Sequence, residues 1–193
     1  MNKKEIIHSV MSAWIGHYDF AQWLVFNKQP KVIVDLGVDY GFSTYAFAVQ
    51  NIGMVYAIDN FNGEEQTGVR DTEYFVRNKI KQLDLKNVCV FKCYFDEIAK
   101  IWGKQIDILH IDGYHSYEAV KNDYETWINF LAPDGVLLFH DTKVFKDDFG
   151  VYKFFDELDM PKVNFKQSYG LGVASMNKSL INQIKIEFAD QID

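Results

Sequence analysis

The chain predicts a doubly wound α/β domain, and three observations carry that prediction. Five short apolar runs rich in β-branched residues alternate with stretches of helical periodicity, the rhythm of strand–helix–strand units. The runs are continuously apolar, as in parallel strands buried on both faces. Polar residues cluster where the runs end, at Asp35, Asp59, Asp112, His140 and Asp141. In open α/β sheets ligands bind at the carboxyl ends of the strands.

Taken in order, residues 3–28 read as one or two helices, with Ile6, Ile7, Val10, Trp14, Phe20, Trp23 and Leu24 at helical spacing. They form a helical N-terminal cap, or else Trp14, His17, Tyr18 and Phe20 wall a pocket. Pro30 ends that segment. Lys31–Gly37 is the first strand, Gly37–Gly41 a turn and Phe42–Gln50 a helix. Met54–Ile58 is the second strand and ends in Asp59-Asn60. Asp71–Leu83 is an amphipathic helix, Val88–Cys93 the third strand and Asp96–Trp102 a short helix. Ile106–Ile111 is the fourth strand. Ser116 caps a helix with the stripe Tyr117, Val120, Tyr124, Trp127 and Leu131, and Glu118 sits in its first turn. Pro133-Asp134-Gly135 reads as a turn before the fifth strand, Val136–Phe139. Gly150–Leu158 is helical. Lys162–Lys166 and Leu171–Met176, divided by Ser168-Tyr169-Gly170, suit an antiparallel hairpin. No repeat or linker divides the 193 residues, so one domain is expected, with 1–29 as cap and 30–176 as core.

Composition narrows the partners. The chain is 48% hydrophobic and 16% aromatic, which excludes disorder, and its net charge is −7. That balance disfavours nucleic acid and anionic membrane, which both need a basic face. The N-terminus lacks the pattern of a signal peptide or membrane span, so a cytoplasmic protein is expected. Cys89 and Cys93 would lie about 13 Å apart along one strand, beyond the roughly 7 Å that a disulfide permits.

The junction Asp35-Leu36-Gly37-Val38-Asp39-Tyr40-Gly41-Phe42-Ser43 is a strand–glycine turn–helix, where backbone approaches a ligand closely. Asp59, 22 residues beyond Gly37, ends the next strand, where a carboxylate accepts from two ribose hydroxyls. A dinucleotide site favours G-x-G-x-x-G. Here Asp39 takes the second glycine's place and would repel a pyrophosphate. A cofactor bearing a sulfonium and an ammonium meets no such repulsion, which favours S-adenosylmethionine over NAD.

Three further stretches accompany this junction: Ile-Asp-Gly-Tyr-His-Ser-Tyr-Glu (111–118), Leu-Ala-Pro-Asp-Gly-Val-Leu-Leu-Phe-His-Asp (131–141) and Gly-Val-Tyr-Lys-Phe-Phe (150–155). Together they resemble class I S-adenosylmethionine-dependent methyltransferases over about residues 30–176, in particular the macrocin (sugar) and catechol O-methyltransferase groups. The resemblance implies a Rossmann-like, mostly parallel seven-stranded sheet whose last pair is antiparallel. It places Gly37, Gly41 and Ser43 on the methionine part of the cofactor, Asp59 and Asn60 on the ribose, with Phe61 nearby, and Tyr94 and Phe95 beside the adenine. In metal-dependent relatives an acid ending the fourth strand and an acidic or amide pair ending the fifth hold Mg²⁺. Asp112 and Asp141 match, while the third position falls on Thr142, where the family has Asn or Asp. A divalent cation, Mg²⁺ or another, is therefore a candidate at Asp112, Asp141 and Thr142.

For proton transfer His115 and His140 are the imidazole candidates. The turn after Gly113 projects His115 into the crevice, whereas strand alternation turns His140 to the face opposite Asp141. Catalytic roles are expected for His115, Asp112 and His140, with a loop anchor as the alternative for His140 and with Asp112 also near the cofactor. His110, inside its strand, reads as a satisfied core histidine. Thr142–Phe149 is a lid whose Lys143 orients the acceptor, or a solvated charged loop, and Glu64–Arg70 is a second loop beside the cofactor. The expected activity is O-methylation of a small-molecule hydroxyl, with a sugar, nucleotide sugar or glycan unit favoured by resemblance. A catechol or phenol is the alternative acceptor, and a non-catalytic S-adenosylmethionine-binding protein the alternative class. Oligomeric state is left open, a homo-oligomer included.

Overall fold

Seven strands lie in the order β5-β2-β1-β6-β7-β9-β8 in a computed structural model, which describes residues 2–66, 68–146 and 148–193. The elements are α1 (Lys3–His8), α2 (Tyr18–Lys28), β1 (Val32–Leu36), α3 (Phe42–Ala48), β2 (Met54–Asp59), β3 (Gly63–Glu64) and β4 (Gly68–Val69). They continue with α4 (Glu73–Gln82), β5 (Val88–Lys92), α5 (Phe95–Ala99), β6 (Ile106–Ile111), α6 (Tyr117–Trp127) and β7 (Leu131–His140). The last are α7 (Val151–Glu157), β8 (Lys162–Phe165), β9 (Leu171–Ala174) and α8 (Lys178–Glu187). Strands β5, β2, β1, β6 and β7 pair in parallel, while β9 runs antiparallel to both β7 and β8. The doubly wound sheet with its antiparallel final pair is as the sequence predicts. Order reverses between β1 and β6, so a crevice opens beyond their carboxyl ends.

The continuous apolar strands are buried because helices cover both faces. One core joins α1, α2, α3 and α8 to one face, through Ile7, Leu24, Phe47, Ile108, Phe165 and Ile184. The other joins α6 and α7 to the opposite face, through Val34, Leu109, Trp127, Phe139 and Phe155. Residues 3–28 do pack as a helical cap, with a turn of 3₁₀ helix at Ile15–His17 between α1 and α2. Asn2 caps α1 with a capping box, and Ser116 caps α6 by accepting from the Ala119 amide. Cys89 and Cys93 are free thiols, as the strand spacing requires.

Three local expectations change. Pro133-Asp134-Gly135 is no separate turn. Strand β7 starts at Leu131 opposite Ile106, and its next partnered residue, Val136, faces Ile108, so the extra residues form a bulge within the strand. Residues 63–69 carry the small antiparallel pair β3–β4 rather than a plain loop, though Thr67 lies outside the described residues. The helix α8 was not read from the sequence at all. Its apolar residues Leu180, Ile181 and Ile184 are buried against the cap side of the sheet.

Phe165 shows how this face is closed. It is fully buried, with its ring centroid 4.5 Å from Phe20 of the cap and 5.4 Å from Phe188 beyond α8. Truncation leaves a cavity that three separate elements would have to fill. Phe165→Ala is expected to cost about 3–5 kcal/mol, read as a lowered urea midpoint with an unchanged m-value.

Candidate active site

A cavity of about 800 Å³ lies at the carboxyl ends of β1, β2, β6 and β7, where the strand order reverses. Its first wall is the turn after β1. Gly37, Asp39 and Gly41 have φ of 87°, 48° and 87°, so the chain passes three times through the left-handed region. A Cβ at Gly37 would overlap the Asp112 carbonyl oxygen, and the Asp112 amide donates to the Leu36 carbonyl at 2.8 Å. The glycine turn and the end of β6 are thus in direct backbone contact, and only glycine permits it.

Asp59 ends β2 and organises that turn. Its Oδ2 accepts from the Val38 and Asp39 amides at 2.7 and 3.0 Å, and its Oδ1 from the Phe61 amide at 2.6 Å. Burial raises the Asp59 pKa, and the three amides pull it part of the way back. An ionised carboxylate has about four lone-pair sites, so roughly one remains for a ligand. That is fewer than the two ribose contacts expected from the sequence. Asn60 lines the cavity beside it, its Oδ1 accepting from the Asn62 amide at 2.8 Å. Asp39, whose carboxylate the sequence reading set against a pyrophosphate, accepts from Arg70 Nε at 2.8 Å, which ties the end of β4 to the turn.

Gly37, Ser43, Tyr94 and Phe95 border the same cavity, whereas Gly41 does not line it and packs against the Tyr45 ring, with its neighbours Tyr40 and Phe42 in the wall. Ser43 donates its hydroxyl to Asp35 Oδ2 at 2.9 Å and Thr44 donates to the same oxygen. Behind them runs a buried relay. Trp14 Nε1–H donates to His110 Nε2 at 3.1 Å, which fixes the other tautomer position, so His110 Nδ1–H donates to Asp35 Oδ1 at 2.6 Å. His110 is the satisfied core histidine the sequence suggests. Through it the cap is hydrogen-bonded to the strand that carries the glycine turn. Of the four cap residues considered for the pocket wall, Trp14 lines the cavity, and His17, Tyr18 and Phe20 do not.

The far wall holds the charges. His115 Nε2 lies 2.8 Å from Asp141 Oδ2 and 3.7 Å from Asp112 Oδ1. His140 Nδ1 lies 3.3 Å from Asp112 Oδ1 and 3.4 Å from Asp141 Oδ2. The alternation argument that sent His140 to the opposite face fails because β7 stops there. Asp141 has φ 61°, and this left-handed step returns its carboxylate to the side of His140. The outer nitrogens are also engaged: His140 Nε2–H donates to the Ser168 carbonyl at 2.9 Å, and His115 Nδ1 lies 3.1 Å from both Glu64 Oε1 and Gln66 Oε1. Phe149 stacks on the His115 ring at 4.6 Å.

Burial alone would discharge both imidazoles, yet Asp112, Asp141 and Glu64 outweigh it and push His115 up to about 12. His140 is pushed up to about 10, against its burial, by Asp112 and Asp141. Burial likewise favours neutral carboxyls, but the two imidazoles hold Asp112 and Asp141 below the usual range. With these partners alone, His115 keeps its proton at neutral pH. A base role for it requires another cation to take over the neutralisation.

Thr142, the expected third metal ligand, donates its hydroxyl to Asn164 Oδ1 at 2.6 Å and does not line the cavity. The donors brought together among the described residues are Asp112, His115 and Asp141, whose ligand atoms all lie within 4.8 Å of one another. Two carboxylates and an imidazole suit a divalent cation. Lys143 pairs with Asp193 and does not line the cavity, which removes the acceptor-orienting role. Asp147, part of the charged lid segment, lies outside the described residues. Glu64, Gln66 and Phe149 lie in the two segments expected beside the cofactor and acceptor, but nothing in the sequence singles them out, and Ser168 reads only as part of a hairpin turn. They come from loops, and only tertiary folding brings them to the two histidines.

A family model described as a methyltransferase domain matches residues 34–142. The chain belongs to that family. The match spans the glycine turn, Asp59, Asp112, His115, His140 and Asp141. A Sinorhizobium fredii protein designated y4gI, itself uncharacterized, is 35% identical over 178 residues, covering 88% of this methyltransferase chain and 20% of its own length. The chain therefore spans about a fifth of that curated relative. Among solved structures, the O-methyltransferase TomG of Streptomyces achromogenes, in complex with S-adenosylmethionine, superposes with a TM-score of 0.65 at 13% identity, over 86% of this chain and 81% of that one. The Bacillus cereus O-methyltransferase, in complex with S-adenosylhomocysteine, gives 0.62 at 16% identity, over 83% and 80%. A Staphylococcus aureus protein described as a putative caffeoyl-CoA O-methyltransferase gives 0.64 at 15% identity, over 82% and 81%. These likenesses bear out the methyltransferase fold.

Two predictions follow from the methyltransferase's buried polar groups. Trp14→Phe keeps an aromatic ring but removes the indole N–H and leaves His110 Nε2 without its donor, so a loss of about 1–3 kcal/mol, or more with the void left by the smaller ring, is expected in chemical denaturation. Asp123 borders the cavity, and burial pushes its carboxyl up to about 7 from 3.8. Between these values the folded chain binds a proton that the unfolded chain lacks, so stability falls as pH rises. Asp123→Asn is expected to raise the melting temperature at pH 8 and to leave it little changed at pH 4.

Proposed function

We propose that this methyltransferase transfers the methyl group of S-adenosylmethionine to a hydroxyl oxygen of a small molecule. The single observation that carries the reading is one cavity with two unlike ends, a glycine turn pinned by Asp59 and a wall of Asp112, His115, His140 and Asp141. In this reading the left-handed turn takes the methionine part, Asp59 and Asn60 take the ribose, and Tyr94 and Phe95 flank the adenine. Carboxylates in the lining outnumber guanidinium and ammonium groups seven to one among the described residues. Such a lining favours a cofactor that carries a sulfonium and an ammonium, and it opposes a pyrophosphate.

The chemistry needs the acceptor oxygen in line with the carbon–sulfur bond. The oxygen takes the methyl group, the bond to sulfur breaks, and S-adenosylhomocysteine leaves as a neutral thioether. The hydroxyl proton is released to water as the carbon–oxygen bond forms, since the imidazoles already hold protons and keep Asp112 and Asp141 below the usual carboxylate range. A divalent cation bound at the Asp112–Asp141 wall would lower the acceptor's pKa. Asp112 and Asp141 fix the acceptor end, while Phe149 and the β3–β4 hairpin, which meet over His115, limit water.

A sugar hydroxyl remains the proposed acceptor, on the sequence resemblance, with a catechol or phenol second. The acidic lining favours free or glycan-linked sugars over nucleotide sugars. The proposal treats residues 1–193 as one cytoplasmic catalytic unit.

Calorimetry with S-adenosylhomocysteine and NAD, followed by a methyl-transfer screen of free sugars, nucleotide sugars and catechols, tests this. Binding of the former alone, with turnover abolished in Asp112→Asn, is the expected result. Absence of S-adenosylhomocysteine binding overturns the reading.

A further inference from the structure

We propose that Asp112, Asp141 and His115 form a mixed carboxylate–imidazole site for a divalent transition ion, with His140 beside the two carboxylates and Glu64 holding His115 from outside. The site would therefore not be an oxygen-only Mg²⁺ site. The geometry of the nitrogens points there. Each imidazole presents one nitrogen to the two carboxylates, at 2.8 and 3.7 Å for His115 and at 3.3 and 3.4 Å for His140. Ligand atoms bound to one ion at about 2.1 Å stand about 3.0–3.4 Å apart in octahedral or tetrahedral shells. The four separations bracket that range.

The other nitrogen of each ring is committed elsewhere. His140 Nε2–H is fixed by the Ser168 carbonyl, which leaves Nδ1 for the site. His115 Nδ1 faces Glu64 Oε1 and Gln66 Oε1, which leaves Nε2. A ligating histidine characteristically donates its far N–H to a carboxylate or carbonyl, which fixes tautomer and ring orientation. Both histidines have that arrangement. Glu64 adds an independent observation. Both its carboxylate oxygens are buried without a hydrogen bond among the described residues, with His115 Nδ1 at an ion-pair distance of 3.1 Å. A buried carboxylate is costly without a partner, and an imidazole N–H polarised by a bound cation supplies one.

Ion choice follows from the donors. Mg²⁺ takes oxygen ligands and gives up water reluctantly. Imidazole nitrogen suits Fe²⁺, Co²⁺, Ni²⁺ and Zn²⁺. The oxygen ligand that an Mg²⁺ site would draw from position 142 is absent, because Thr142 does not line the cavity and its hydroxyl is turned to Asn164. The ion's part in activating an acceptor rests on the methyl-transfer reading above, whereas its binding does not.

The test is a titration of Co²⁺ into metal-stripped protein, followed by visible absorption. Expected are one Co²⁺ per chain with bands of nitrogen-ligated cobalt, displacement by Zn²⁺, and none by roughly a hundredfold excess of Mg²⁺. Glu64→Gln is expected to weaken Co²⁺ about tenfold, and His115→Ala more, with a cooperative melt showing each variant folded. Displacement by Mg²⁺ at parity overturns the proposal, as does wild-type Co²⁺ affinity in the folded variants. Calorimetry with S-adenosylhomocysteine on the same samples separates the two readings. Normal Co²⁺ behaviour without nucleoside binding removes the methyltransferase function and leaves the metal site standing.

Discussion

Two carboxylates, Asp112 and Asp141, end neighbouring parallel strands at the bottom of a cavity, and their mutual repulsion has to be neutralised. In water such a pair would cost little, but the low local dielectric makes it expensive unless positive charge sits within contact distance. The chain supplies two imidazoles, one on the loop after β6 and one at the tip of β7. Much of the surrounding architecture serves to hold those rings: the Ser168 carbonyl behind His140, Glu64 and Gln66 behind His115, and Phe149 stacked upon it. Two imidazolium protons and one divalent cation carry the same charge. The protonated wall and a metal-loaded wall are thus alternative solutions to one electrostatic requirement, which links cation binding to proton release.

The same constraint explains the backbone strain. Strand geometry would send His140 and Asp141 to opposite faces, so the chain spends a left-handed residue at Asp141 to bring both to the cavity. On the other wall, left-handed Gly37, Asp39 and Gly41 bring the turn against the Asp112 backbone. A shift in the turn is therefore transmitted to the carboxylate floor. The Trp14–His110–Asp35 relay extends this coupling to the cap, which makes the cap part of the site's support.

Much of this was legible in the sequence because it depends on local pattern. Continuous β-branched runs such as Ile106–Ile111 announce parallel strands, and abrupt endings in Asp59, Asp112 and Asp141 mark the ligand edge. His110 was readable as a core histidine because it lies within such a run. What was not legible depends on backbone hand or on loops meeting at a distance. Alternation placed His140 wrongly because it assumes that the strand continues past its last residue. The Pro133-Asp134-Gly135 bulge has the composition of a turn. Thr142 matched a family position by resemblance, whereas its hydroxyl is drawn away by Asn164 on β8. The Glu64–Arg70 loop reads as lying beside the cofactor, but nothing singles out Glu64 and Gln66 within it, since a polar pair in a glycine-flanked loop is ordinary until a histidine 49 or more residues away folds against it.

The account's central claim is that the glycine turn and the carboxylate–imidazole wall are two halves of one site for methyl transfer. The most direct measurement is a crystal structure of the protein with S-adenosylhomocysteine. The account predicts the nucleoside along Asp59, Tyr94 and Phe95, with the thioether sulfur between Gly37 and Asp112 and facing His115 and Asp141. Nucleoside bound outside this cavity, or with its sulfur turned away from Asp112 and Asp141, would contradict it.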